Sequence, residues 1–305
     1  MLQQSLFVEN VPAPATQAVV NVASVPQRSP FRYPGGKTWL VPIARQWLKA
    51  KSGPSVELFE PFAGGAIISL TAVFEDLVDN ATLVELDPGV SAVWRTLFGP
   101  LGLRLAQQIL DFDLTEDSVD RVLSATPKSQ VALAFQTILK NRVNHGGILA
   151  PGSGRIKFGE NGKGMRSRWY PHTLHTRMTR IAHLRKRFRV IHGDGIEVML
   201  SQSKNKSALF FIDPPYTAAG KQAGRRLYLH NELDHRRLFE VASTLAGDFI
   251  MTYDWTGGVI DLAIEYNLDY EPVSMKSTHH TEMQELVIGR DLEWMRSQIA
   301  SVRAS

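Results

Sequence analysis

Four consecutive residues, Asp213-Pro214-Pro215-Tyr216, carry groups that could act on a flat base. They follow the apolar run 207–212, which is typical of a buried strand. In open α/β sheets, ligands bind beyond the carboxyl ends of the strands, and two prolines there fix the turn and remove two backbone donors. The segment therefore offers a carboxylate, a carbonyl oxygen and an aromatic face, which suit a planar ring that carries an amino group.

A glycine turn near the N-terminus, at residues 34–36, could let the backbone approach a ligand closely. Lys37 follows it at the foot of a predicted helix, with Pro42 in the opening turn. The apolar residues of that helix recur at helical spacing and should share one buried face: Trp39, Leu40, Ile43, Ala44, Trp47 and Leu48. The pattern predicts a basic group held at the start of a well-packed helix.

A second glycine turn, Glu60-Pro61-Phe62-Ala63-Gly64-Gly65, separates a predicted strand at 56–60 from an apolar helix at 67–74. Strand, glycine turn and helix open a nucleotide-binding α/β unit. The next predicted strand, 82–86, ends at Asp87, about 20 residues beyond the glycines, where an acid typically binds ribose hydroxyls. The spacing predicts a nucleotide-like ligand at this turn.

The middle of the chain is strongly basic. Helices are predicted at 107–123 and 130–143, and the second breaks at Asn144-His145-Gly146-Gly147. From Arg155 to Arg189 there are eleven Lys and Arg residues and a single acid, Glu160. Since Lys and Arg contacts to phosphates supply most sequence-independent affinity for DNA, the pattern predicts a nucleic-acid surface.

The rest of the chain returns to alternating elements. A helix is predicted at 177–187 and a strand at 188–192, followed by Gly193-Asp194-Gly195. Asp234 is a predicted N-cap of another helix, a strand follows at 249–253, and 270–275 pairs with 285–288 around Thr278-His279-His280-Thr281. The two histidines suggest a metal, but without cysteine or a third ligand at helical spacing they favour a plain turn.

Composition limits the function classes. The chain has 305 residues, 44% of them hydrophobic, which predicts one large α/β domain with a smaller inserted or appended one. The net charge of +4 and the pI of about 9.3 favour an anionic partner. The absence of cysteine excludes disulfides, thiolate metal sites and cysteine nucleophiles. With no apolar run of ~20 residues and no basic start, we expect a cytoplasmic protein without a membrane partner.

The Asp-Pro-Pro-Tyr motif, the two glycine turns and their order resemble the Dam-like (alpha-group) DNA adenine-N6 methyltransferase family over residues 30–290. The resemblance implies a Rossmann-like S-adenosylmethionine-dependent methyltransferase sheet with an inserted, mainly helical and loop DNA-recognition domain. It implies that Asp213, Pro214, Pro215 and Tyr216 are catalytic. S-adenosyl-L-methionine would be the cofactor and no metal is needed. The implied cofactor contacts are Tyr33, Lys37, Phe62, Gly64, Asp87 and Asp194.

The same resemblance makes double-stranded DNA the partner and admits a cognate restriction system, with a monomer as the default. Asn141-Arg142 and the following glycines resemble the family pattern, whereas the loop up to Trp169-Tyr170 does not follow it closely. The predicted DNA contacts are Arg142, Arg155, Lys157, Lys163, Arg166 and Arg168. The predicted organisation is a flexible tail (1–29), a cofactor-binding part (30–98), a target-recognition insertion (99–187) and a catalytic part (188–305).

Other readings stay open at this point. A cytosine-N4 DNA methyltransferase more often carries Ser in the first motif position, so Asp213 favours adenine. A non-catalytic DNA-binding protein on the same fold would not need the intact motif or Lys37, and a cofactor-binding titration separates the two. Methylation of RNA or protein is a third reading, which the basic glycine-rich insertion makes less favourable than duplex DNA.

Overall fold

A computed structural model describes residues 25–32, 36–51, 53, 55–215, 233–276 and 282–297. Its centre is a seven-stranded sheet with the strand order β3-β2-β1-β4-β5-β7-β6. The strands span Glu57–Glu60 (β1), Asn80–Glu85 (β2), Phe188–His192 (β3), Ala208–Ile212 (β4), Asp248–Asp254 (β5), Asp269–Lys276 (β6) and Glu282–Gly289 (β7). Ten α-helices in the described part span Val41–Ala50 (α1), Ile67–Phe74 (α2), Pro88–Leu97 (α3), Gly102–Asp111 (α4), Glu116–Ser124 (α5), Gln130–Val143 (α6), Pro171–His183 (α7), Gly195–Ser201 (α8), His235–Thr244 (α9) and Gly257–Glu265 (α10).

The sheet is mostly parallel. Strands β1 to β5 run in one direction, while β7 is antiparallel to both β5 and β6. The strand order reverses between β1 and β4, which are direct neighbours, so a crevice is expected beyond their carboxyl ends. This architecture confirms the predicted fold class, an α/β protein with a Rossmann-like sheet of the methyltransferase type.

Helices cover both faces of the sheet because successive strand residues point to opposite sides. In β4, Phe211 packs with the core on the side of α1 to α7, whereas Phe210 and Ile212 pack with α8 to α10. All five residues of β4 are buried, as the continuous apolar run 207–212 predicted. The carboxyl end of β4, where Asp213 lies, is therefore held in place by packed helices on both faces of the sheet.

Several predicted elements are confirmed and three need correction. Helix α6 has the predicted bounds, and α1 buries the predicted face. The helix predicted at 107–123 is two helices, because Thr115 and Ser118 form a capping box that starts α5. The helix predicted at 177–187 begins earlier, at Pro171, where proline suits a first turn. Strand β2 ends at Glu85, one residue earlier than predicted, so its last residue is an acid.

The described part of the chain begins inside the predicted tail. Val25 is only 3% exposed and Ser29 is buried, so residues 25–29 belong to the folded protein, while 1–24 lie outside the described residues. The other domain boundaries stay predictions. Among the described helices, none has the length and apolar character needed to cross a membrane.

Candidate active site

Asp213 follows β4 directly, at the crevice beside β1. One carboxylate oxygen, Oδ1, accepts a hydrogen bond of 2.9 Å from Thr252 Oγ1 on β5 and lies 3.0 Å from Lys37 Nζ. The side chain is 22% exposed, and its other oxygen, Oδ2, has no hydrogen-bond partner within the described residues. Oδ1 is thus held by two donors, and Oδ2 can accept a hydrogen bond from a ligand.

Lys37 supplies the positive charge at this point. Its side chain is 3% exposed and its Nζ also lies 3.3 Å from Glu285 Oε2 on β7. A buried ammonium is stable only when it is paired, and here two carboxylates surround it. In this structure the lysine that the sequence assigned to the cofactor holds Asp213.

Glu285 is a site residue that the sequence analysis missed. Burial raises the pKa of its carboxyl to about 7, with Lys37 lowering that pKa and Asp213 raising it again. Its position in the middle of β7, facing β5 across the antiparallel pair, brings it to the same edge as Asp213. The signal available in the sequence was a lone acid in the otherwise apolar strand 285–288.

Two further acids end the neighbouring strands. Glu60 ends β1 and accepts a hydrogen bond of 3.1 Å from the Ser69 backbone N–H. Burial raises its pKa to about 8. Glu85 ends β2, and burial raises its pKa to about 7. Its two oxygens accept from the backbone N–H groups of Gly64 and Asp87, at 2.9 and 2.8 Å.

Asp87 has a local role in this structure. Its Oδ1 accepts from the backbone N–H groups of Gly89 and Val90, at 2.7 and 2.9 Å, which makes it the N-cap of α3. Glu85 is the last residue of β2, which makes it a second candidate for the ribose hydroxyls. The assignment of Asp87 to the cofactor stays a prediction.

The remaining cofactor candidates lie around the Glu60–Gly65 turn. Gly64 has φ +46°, and its carbonyl accepts from Trp94 Nε1 at 2.9 Å. Phe62 in the same turn is half-buried, and Asp194 is exposed and caps α8. A Cβ on Gly195 would lie 2.2 Å from the Pro61 carbonyl oxygen, so only glycine lets Asp194 sit this close to the turn. The structure therefore brings Phe62, Gly64 and Asp194 together.

Four candidate residues remain to be placed. Pro214 is buried and Pro215 is half-buried, directly after Asp213. Tyr33 and Tyr216 lie outside the described residues, as do His279 and His280. Within the described ranges, no group of three or more His, Asp and Glu side chains is arranged to hold a metal ion.

The six predicted DNA contacts fall into three kinds. Lys157, Lys163 and Arg166 are exposed. Arg155 and Arg168 are partly exposed and pair with Asp120 and Glu160. Arg142 differs, since it is 4% exposed and its Nη2 donates to the Pro30 carbonyl. A direct contact between Arg142 and DNA therefore requires an opening beside it.

The raised pKa values make the stability of the folded protein depend on pH. Glu60 holds a proton in the folded state up to about pH 8 but loses it near pH 4.5 when unfolded. Between these values the folded state binds more protons, so the free energy of unfolding falls as the pH rises. Between pH 5.5 and 8.5 the free energy of unfolding should fall in both proteins. We expect the fall in Glu60→Gln to be smaller than that in the wild type by at least about 1 kcal/mol.

Urea unfolding at both pH values measures this effect. Glu197→Gln, which changes an exposed acid on α8, is the matched control and should follow the wild type. Equal losses in the Glu60→Gln protein and the wild type would contradict a protonated Glu60.

Neither a protein-family model nor a curated protein matches the sequence. Among solved structures, the chain is similar to that of a proposed RNA methyltransferase from Pyrococcus horikoshii. The TM-score is 0.37 at 10% sequence identity, over 85% of this chain and 84% of the other. Similarity of this size does not bear on which molecule this chain acts on.

Proposed function

We propose that this protein is a DNA methyltransferase that transfers a methyl group from S-adenosyl-L-methionine to the N6 amino group of adenine. The observation that carries the proposal is the carboxylate of Asp213, held by Lys37 and Thr252 at the end of β4, with Oδ2 unpartnered among the residues that the structure describes. The Pro214 carbonyl follows it directly. Two acceptors side by side match the two protons of an exocyclic amino group.

The residues around the crevice fit the proposed cofactor. Glu60, Glu85 and Asp194 supply oxygen atoms that can hydrogen-bond its hydroxyl and amino groups. Gly64, in a left-handed conformation, has no side chain between the backbone and a ligand. Phe62 presents a half-buried ring next to it. S-adenosylmethionine, when bound, supplies an electrophilic methyl group on a sulfonium centre.

The protein's own part is to make a poor nucleophile reactive. The lone pair of the adenine amino nitrogen is delocalised into the ring. Hydrogen bonds from its two protons to Asp213 Oδ2 and the Pro214 carbonyl favour tetrahedral geometry and stabilise the positive charge that develops on nitrogen. Lys37 and Thr252 hold the Asp213 carboxylate in one orientation during this step. Asp213 Oδ2 then accepts the proton that the methylated nitrogen loses.

Duplex DNA is the proposed substrate, and support for it comes from the basic residues of 155–170. Lys157, Lys163 and Arg166 are exposed in this segment, where phosphate contacts supply affinity. Phe158, between them, is 82% exposed. Because the adenine amino group is inaccessible within a duplex, the base must be flipped into the crevice, at a cost of a few kcal/mol.

The two acids near the ribose position can be told apart. If Glu85 binds the ribose hydroxyls, Glu85→Gln should weaken cofactor binding about 10-fold or more, as expected for a hydrogen bond to a charged group. Asp87→Asn should bind nearly normally, because asparagine is as good an N-cap as aspartate. Calorimetric titration of both variants with S-adenosylmethionine measures this. If Asp87→Asn bound the cofactor more weakly than Glu85→Gln, Asp87 would be the ribose ligand instead.

A transfer assay tests the proposed function. Purified protein with methyl-labelled S-adenosylmethionine should label unmethylated duplex DNA and leave structured RNA and denatured protein unlabelled. Label in RNA alone would move the substrate to RNA while keeping the methyl-transfer site. Cofactor binding without label in any substrate would favour a non-catalytic protein on the same fold.

A further inference from the structure

Three arginines come together where the N-terminal segment meets the helical insertion. Arg32 lies in that segment, Arg142 is in the last turn of α6, and Arg177 is in α7. Arg142 and Arg177 donate to the backbone carbonyls of Pro30 and Ser29. We call Arg32, Arg142 and Arg177 the arginine cluster.

Among the described residues, no salt bridge joins any of the three arginines to a carboxylate, although the charge of Glu160 raises the pKa of Arg32. Arg142 is 4% exposed, and within the same residues neither its Nε nor the buried Nη1 of Arg32 has a hydrogen-bond partner. Buried guanidinium donors without acceptors cost free energy, so these two groups call for an explanation beyond holding the segment.

The charges of the three side chains act on one another. Burial first, and then the charges of Arg177 and Arg32, lower the pKa of Arg142 to about 9. Burial also lowers the pKa of Arg32, and Arg168 adds to that effect. Repulsion of this kind disappears when an anion enters the cluster.

The backbone around the cluster is held rigidly. Asn141 accepts from the Arg32 N–H at 2.9 Å and donates to the carbonyls of Arg32 and Gly147, at 2.8 and 2.7 Å. Gly147 has φ +77°, and a Cβ there would lie 2.2 Å from the Arg32 carbonyl oxygen. The backbone that carries Arg32 is therefore fixed before a ligand arrives, whereas the buried Arg142 becomes accessible only when an opening forms beside it.

We infer that the arginine cluster is an oxyanion site that binds a backbone phosphate of the nucleic-acid substrate. The identity of the occupant rests on the proposed function, whereas the oxyanion chemistry rests on the cluster alone. Guanidinium groups bind phosphate in a planar, bidentate geometry, and the unpartnered N–H groups of Arg32 and Arg142 are the donors that would do so.

The position of the cluster favours a nucleic-acid strand over a free anion. The Ile156 backbone N–H donates to the Val143 carbonyl at 2.9 Å, directly after Arg142, so the cluster adjoins the basic segment 155–170. The charges of that segment also act on Arg32: Arg168 lowers its pKa, whereas Tyr170 and Glu160 raise it. A strand bound along the basic segment would pass the cluster, which would hold one of its phosphates.

The first experiment tests the oxyanion site with inorganic phosphate as the probe. Urea unfolding is followed at constant ionic strength while phosphate replaces chloride, for the wild type, Arg177→Gln, Arg142→Met and Arg104→Gln. Phosphate stabilises most proteins by exclusion, so the comparison between variants is the readout. Arg104, exposed on α4, is the matched control.

We expect the wild type and Arg104→Gln to gain more stability from phosphate than Arg177→Gln and Arg142→Met. An equal gain in all four proteins would overturn the oxyanion site. Arg177 is half-buried on a helix, so Arg177→Gln decides the question even if Arg142→Met fails to fold.

The second experiment identifies the occupant. Fluorescence anisotropy gives the affinity of each variant for duplex DNA as a function of salt concentration. Removal of the Arg177 charge beside the bound phosphate should lower the slope of log K against log salt by up to about 0.9 in Arg177→Gln and leave Arg104→Gln unchanged. An unchanged slope in a wild type that does bind DNA would exclude the DNA phosphate as the occupant. A wild type that binds no duplex would contradict the proposed function while the phosphate result stands.

Discussion

Asp213→Asn should lower kcat about as much as Asp213→Ala, by about 10²- to 10³-fold, with little change in cofactor affinity. Asparagine has nearly the shape of aspartate, so the expected loss comes from its hydrogen bonds. Lys37 Nζ and Thr252 Oγ1 both donate to the Oδ1 position, at 3.0 and 2.9 Å, so the amide oxygen must occupy it. The amide NH2 then takes the Oδ2 position. It is a hydrogen-bond donor that faces the amino group of adenine, which is also a donor, so no hydrogen bond forms.

Single-turnover methyl transfer and cofactor titration measure the two quantities separately. Asp248→Asn is the matched control. Asp248 lies at the other end of the neighbouring strand β5, where it pairs with Lys51 at 2.9 Å, and its change should leave kcat unaltered. An Asp213→Asn protein with the wild-type rate would end the proposed role of this carboxylate.

Lys37→Met should have the second-largest effect, because it changes both stability and rate. It leaves Glu285 and Asp213 facing each other without a cation, and breaking a buried ion pair in this way costs about 3–5 kcal/mol. We also expect kcat to fall about 10²-fold, since Asp213 loses the donor that orients it.

A double-mutant cycle with Glu285→Gln separates the two effects. Glutamine removes the unpaired charge, so Lys37→Met combined with Glu285→Gln should be more stable than Lys37→Met alone. The rate should not recover, because Asp213 still lacks Lys37. Additive stability losses would show that Lys37 and Glu285 do not interact in solution.

Local pattern was sufficient for the parts of the site that lie next to a strand end. The apolar run 207–212 predicted β4, and the glycine turn after 56–60 predicted the β1–α2 unit, because a buried parallel strand and a glycine turn each have a short-range signature. The face of α1 was predicted for the same reason. The end of β2 shows the limit, since an error of one residue there left Glu85 out of the candidate residues.

Long-range pairs could not be predicted from the sequence. Glu285 reaches Lys37 only because β7 inserts antiparallel beside β5, and Thr252 reaches Asp213 only through the pairing of β4 with β5. For the same reason, counting charged residues in the basic segment did not reveal which of them are paired. It could not show that Arg155 pairs with Asp120 or that Arg142 is buried.

The most direct test of the central claim is nucleoside mass spectrometry of unmethylated duplex DNA after incubation with the purified protein and S-adenosylmethionine. The account predicts N6-methyladenine with the wild type and none above background with Asp213→Ala. N4-methylcytosine would keep the site and change the base. The absence of any methylated nucleoside from a wild-type protein that binds S-adenosylmethionine would contradict the proposed activity on DNA.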